Sequence, residues 1–79
     1  MKIRKNAAKA LRKMPRNMAL RFFTAFDKIE AGGISSLDIK PLAGREGYLR
    51  LRIGTYRAIY TVDMELIVIR VGPRGDVYK

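Results

Sequence analysis

Hydrophobic and polar positions change their period along this chain. Ala7, Ala8, Leu11 and Met14 recur at helical spacing, with Lys5, Lys9, Arg12 and Lys13 on the remaining surface. They predict a short helix over residues 5–14, with Asn6 in position to cap it. Pro15 interrupts and suits the first turn of a second helix. Met18, Phe22, Ala25, Phe26 and Ile29 then form an i, i+4, i+7, i+8, i+11 stripe. That helix is predicted over 15–30, stopped by Gly32-Gly33. Residues 34–47 read as a connecting segment punctuated by Pro41 and Gly44, with Leu37, Ile39 and Leu42 able to reach the core.

From Tyr48 onward the period becomes two. Strands are predicted over 48–53, 56–62 and 65–71, broken by Gly72-Pro73, with Asp76 to Lys79 as a possible short last strand. Gly54-Thr55 has the form of a two-residue hairpin loop. It sets Ile53 opposite Tyr56, Arg52 opposite Arg57 and Leu51 opposite Ala58. A turn at Asp63-Met64 would set Val62 opposite Glu65, Ala58 opposite Ile69 and Arg57 opposite Arg70; a longer turn would change that register.

In this register Leu49, Leu51, Ile53, Tyr56, Ala58, Tyr60, Ile67, Ile69 and Val71 share one face. The helical stripe needs such a face, so the expected fold is α+β: an N-terminal helical hairpin packed on a small antiparallel sheet. The other face stays uncovered and carries Tyr48, Arg50 and Arg52, with Arg52, Arg57 and Arg70 forming a row across three strands. Ile59 and Val68 interrupt it and offer an apolar strip to a protein partner. Like charges directly opposite one another destabilise a sheet, so the face calls for an anion.

Charge strengthens that expectation. The 79 residues carry 17 Lys+Arg against 7 Asp+Glu, a net charge of +10. No acidic residue precedes Asp27, while eight lysines and arginines do. Such a balance points to a polyanionic partner. The length suits one domain spanning 1–79. Cysteine and histidine are both absent, which excludes disulfides, cysteine zinc sites and any nucleophile activated by histidine. No signal peptide and no apolar run of membrane-spanning length is evident, so a cytoplasmic protein is expected. The guanidinium groups match phosphate geometry, and Tyr48 and Tyr78 can stack bases. Gly72-Pro-Arg-Gly75 is a glycine-flanked loop that can offer N–H groups to an anion, with Arg74 beside the arginine row.

These residues resemble a known family. The run from Pro41 through Tyr48-Leu-Arg-Leu-Arg-Ile-Gly-Thr-Tyr-Arg57 to Tyr60, and Ile67-Val-Ile-Arg-Val-Gly-Pro-Arg-Gly-Asp-Val-Tyr78, is similar to the RelE/ParE superfamily of toxins. Asn6 to Pro15 fits the family's first helix. The resemblance implies a RelE-like fold and the toxin of a type II toxin–antitoxin module. RelE-type members cleave mRNA in the ribosomal A site without metal or cofactor. The implied catalytic set is Arg52, Arg57, Arg74 and Tyr78, with Tyr48, Arg50 and Arg70 contacting RNA. Arg52 stands where RelE has a lysine, and arginine is a poor base, leaving Glu46 as a substitute. The implied partners are an acidic antitoxin, the ribosome and mRNA, with no membrane. Two alternatives remain: a ParE-like gyrase inhibitor without nuclease chemistry, and a degenerate relative that only binds antitoxin. Relatives usually begin with a β-strand, for which Met1-Lys2-Ile3 is short.

Overall fold

The computed structural model describes residues 1–73. The expected hairpin of helices is present, as α1 (Lys5–Lys13) and α2 (Arg16–Ala31). Arg4 rather than Asn6 occupies the N-cap of α1, with no side-chain cap; Asn6 lies inside the first turn. The Met14 N–H closes α1 on the Ala10 carbonyl before Pro15 turns the chain into α2. Gly32 ends α2 with φ +83°, the left-handed conformation that glycine adopts without a Cβ penalty. The Gly33 N–H then reaches the Lys28 carbonyl at 2.9 Å, closing the helix end.

Among the described residues five strands form one mixed sheet in the order β1-β5-β4-β3-β2. They are β1 (Lys2–Ile3), β2 (Asp38–Pro41), β3 (Leu49–Ile53), β4 (Tyr56–Asp63) and β5 (Glu65–Pro73). Two lie where no strand was expected over the same length. Lys2 and Ile3 pair in parallel with Ile67 and Val68, and the Arg4 N–H continues the ladder to the Val68 carbonyl at 2.9 Å. Asp38 to Pro41 pairs antiparallel with Leu49 to Arg52, so part of the predicted connection is an edge strand. Pro41 sits at its end, where a missing N–H is tolerated.

The first hairpin has the predicted register: Ile53 faces Tyr56, Arg52 faces Arg57 and Leu51 faces Ala58. Gly54 has φ +59° while Thr55 has no positive φ, the pattern of a type II′ turn. The second hairpin differs. Asp63 pairs with Glu65 around Met64, which takes φ +63°. Thus Val62 faces Leu66 and Tyr60 faces Val68. A bulge between these pairs and the next then sets Ile59 opposite Arg70, Ala58 opposite Val71, and Arg57 opposite Gly72. Nor do Gly72 and Pro73 break β5; both lie within it, Pro73 opposite Tyr56.

The bulge divides β5 into halves of opposite phase. Leu66 and Val68 turn inward before it and Val71 after it, while Ile67 and Ile69 are only partly buried. Val68 is therefore a core residue, 0% exposed, and not part of an outer apolar strip. Phe22, Phe26, Leu51, Ala58, Tyr60 and Leu66 meet it between the helices and the sheet. Phe22 stacks edge-on against Tyr56 with ring centroids 6.5 Å apart. A fully buried aromatic of this size contributes roughly 1.5–3 kcal/mol. Burial pushes the Tyr60 phenol above its ordinary pKa. At the far end, the Met1 ammonium bridges Glu30 of α2 at 3.2 Å and Glu65 of β5 at 3.1 Å. Hydrogen bonds to Glu65 and then Glu30 raise its pKa above the ordinary 8.0.

Candidate nucleic-acid interface

Because Leu51, Ala58 and Tyr60 face the helices, their strand neighbours face away. Arg50 and Arg52 on β3, Arg57 on β4 and Arg70 on β5 thus share the face opposite the core. They do not form the single row expected from the sequence. One row runs Arg52, Arg57, Gly72; the next runs Arg50, Ile59, Arg70. Arg70 is displaced by the bulge from its predicted place opposite Arg57. Ile59 is 4% exposed, so the expected apolar strip is closed at both of its residues.

Arg52 and Arg57 are directly opposed, with Cα atoms of such a pair about 4.5–5.5 Å apart. Two guanidinium stems leaving a sheet that close can converge on one phosphate. Arg52 is exposed, its Nε donating a long 3.4 Å bond to the Gly54 carbonyl. That contact is near the limit of hydrogen bonding and fixes the stem weakly. Gly54 itself is held close to α2: a Cβ there would lie 3.4 Å from the Met18 methyl.

Arg50 is in a different state. Its side chain is 13% exposed, and Nη2 donates to Asp38 Oδ1 at 3.0 Å. The same guanidinium buries Nε with no hydrogen-bond partner among the described residues. An orphaned donor of this kind costs of order 1–3 kcal/mol. A half-exposed ion pair returns about 0–1 kcal/mol. Asp38 comes from β2, where it stands opposite Arg52, while Lys40 stands opposite Arg50. Nothing in the sequence pattern signalled this carboxylate, because the strand that carries it reads as a connection.

Tyr48 precedes β3 and is half-buried, its N–H bonded to the Arg45 carbonyl and its carbonyl accepting from Leu42. The loop is tied to the arginine face by Thr61, whose hydroxyl donates to the Gly47 carbonyl at 2.8 Å. Thr61 lies four strand positions, roughly 13 Å, from Arg57. The anchor of Glu46 is therefore at the opposite end of that face from the Arg52–Arg57 pair. Arg74 and Tyr78 lie outside the described residues, as does the possible strand at 76–79.

Around the β2 edge the face continues into an open groove of about 450 Å³. Asp38, Arg52 and Ile53 line its sheet side, and Leu20, Arg21 and Lys28 of α2 its other wall. No helix among the described residues is long and apolar enough to cross a membrane.

A family model of the ParE toxin of the parDE type II toxin–antitoxin system matches residues 1–78. The chain belongs to the RelE/ParE superfamily of toxins. The fold agrees with that placement. The chain is similar to one in the RelB–RelE antitoxin–toxin complex of Methanococcus jannaschii, with a TM-score of 0.84 and 26% identity, covering 99% of this chain and 95% of the other. It is also similar to one in the archaeal RelE–RelB complex of Pyrococcus horikoshii, at TM-score 0.76 and 30% identity over 96% and 94% of the two chains. A third likeness is to the RelBE2 toxin–antitoxin complex of Mycobacterium tuberculosis, at 0.70 and 26% over 92% and 94%. No curated protein sequence matches significantly. RelE/ParE membership accounts for the helical hairpin on a sheet and leaves the use of the arginine face to its chemistry.

Proposed function

We propose that this RelE/ParE toxin is an endoribonuclease that cuts mRNA in the ribosomal A site, using the arginine face of its sheet. The observation that carries this reading is the directly opposed Arg52–Arg57 pair on the face away from the helices. Two guanidinium groups in that register can bind one phosphate between them. Phosphate contact gives affinity without sequence reading, so codon choice belongs to the ribosome-bound message and not to these arginines.

The reaction is in-line attack of an RNA 2′-hydroxyl on the adjacent phosphorus. The hydroxyl proton passes to solvent, the bond to the 5′-oxygen breaks, and the leaving oxygen gains a proton. Arg57 and Arg74 stabilise the charge that develops on the phosphorane. Arg52, too basic to act as a general base, holds the phosphate with Arg50 and Arg70. Tyr78 stacks on the base, as does Tyr48. An acidic antitoxin neutralises the face and stabilises the folded toxin, since a ligand of the native state raises its melting temperature. The groove from Arg52 to Arg21 and Lys28, with Leu20 on its wall, offers such a segment both charge and apolar surface.

Primer extension on a defined message with programmed ribosomes tests this. Cleavage within the A-site codon is expected from the wild-type protein and not from Arg57→Ala or Arg74→Ala. A second reading is favoured by the family model itself, which describes ParE toxins: gyrase inhibition by binding. Inhibited supercoiling by purified gyrase, with intact message on the ribosome, would establish it instead. Antitoxin binding with neither activity would mark a degenerate relative.

A further inference from the structure

Arg50 has a carboxylate held against it, and that carboxylate arrives from the edge strand β2. We propose that Asp38 is a built-in counter-ion that withholds Arg50 in the free protein, and that a phosphate of bound RNA takes Arg50 from it. The inference rests on the reading of the arginine face as an RNA site and adds to it how that face is regulated.

Three observations support it. The Asp38–Arg50 bond uses one nitrogen and one oxygen at 3.0 Å, without the two parallel bonds that make arginine–carboxylate pairs strong. In this pose the Arg50 Nε is buried and unpaired among the described residues, so the guanidinium is incompletely satisfied where it lies. A phosphate can accept from Nε and Nη2 together, satisfying both. Finally, Asp38 is placed to act on two arginines at once: bonded to Arg50 and directly across the ladder from Arg52. Its side chain is 47% exposed, so once Arg50 departs it returns to water at little cost. Lys40, across from Arg50 on the same strand, keeps the local balance positive when Asp38 is released. The free protein is thereby kept from binding every polyanion it meets with all of its arginines.

The test is the salt dependence of binding to a fluorescently labelled single-stranded RNA oligonucleotide, using the full chain. Asp38→Asn removes the charge and keeps the shape. It is expected to bind severalfold more tightly at low salt. The slope of log K against log salt should steepen by about 0.7, the increment of one added phosphate contact on a single strand. Asp38→Glu, which keeps the charge, should retain the wild-type slope. In an Arg50→Gln background, Asp38→Asn should leave the slope unchanged. A steepening that persists there would overturn the proposal, because the carboxylate would then act through the general field and not through Arg50. So would a folded Asp38→Asn with wild-type slope and affinity. Asp38→Ser serves in the same way should the asparagine variant fail to fold. The paired variant Arg52→Ala/Arg57→Ala separates the two levels. If it binds RNA as the wild type does, the RNA reading of the face fails. If it loses affinity while Asp38→Asn changes nothing, the counter-ion alone fails.

Discussion

The two faces of this sheet are made by the same strands from alternate residues, yet they are built to opposite ends. On the helix side, Leu51, Ala58, Tyr60 and Val68 are between 0% and 2% exposed and pack against Phe22 and Phe26. On the other side, Arg50, Arg52, Arg57 and Arg70 stand in two rows with a directly opposed like-charged pair. One face gains from every group it removes from water. The other sets charges of one sign side by side, with Asp38 as a counter-ion at Arg50. Local conflict between stability and arrangement is where function is expected to reside.

That contrast can be broken at several points. The largest effect belongs to the core face: Phe26→Ala should cost of order 3–5 kcal/mol, comparable to the whole stability of so small a domain, and calorimetry should show loss of the cooperative transition. Arg57→Ala should do the reverse. Ribosomal cleavage should fall about 10²–10³-fold while the melting temperature moves far less than in Phe26→Ala. An Arg57→Ala protein that melts as early as Phe26→Ala would erase the distinction between the faces.

Gly54→Ala acts on the hinge between them. The positive φ and the Met18 methyl 3.4 Å from the new Cβ should together cost about 1–2 kcal/mol, read from urea unfolding. Cleavage should drop as well, because the turn sets the Arg52–Arg57 register. At the far hairpin, Met64→Gly should stabilise by up to about 1 kcal/mol by relieving a left-handed methionine, with cleavage unchanged. The smallest effect is electrostatic. The Met1 ammonium has a folded pKa raised above 8.0, so the stability it contributes is complete below about pH 8. It is lost as pH rises through the folded value. Glu65→Gln should flatten that loss in melting curves taken at successive pH values.

The sequence revealed these regions unevenly, for physical reasons. Helical stripes and a glycine-led turn are local signals, so both helices and the β3–β4 register were legible. Asp63-Met64 offers no glycine, and nothing in the spacing shows that Met64 would adopt the left-handed conformation itself. The register beyond it therefore slipped, and the bulge near Ile69 slipped it again. β1 depends on a parallel partner some 65 positions away, and β2 is four residues ending in proline, too short for a periodic signal. Missing β2 meant missing Asp38. The shared face of Arg50, Arg52 and Arg57 was legible from alternation alone; the state of Arg50 was not, because its partner comes from another strand.

The bulge in β5 has a genetic consequence. It is what turns Arg70 outward and Val71 inward within a strand whose first half has the other phase. Ile69 is the residue left out of the ladder, so loss of its single codon would remove the bulge. Val68, Arg70 and Val71 would then alternate inward, outward and inward without interruption, still opposite Tyr60, Ile59 and Ala58. An in-frame deletion of three nucleotides at that codon would thereby straighten the strand and keep both faces as they are.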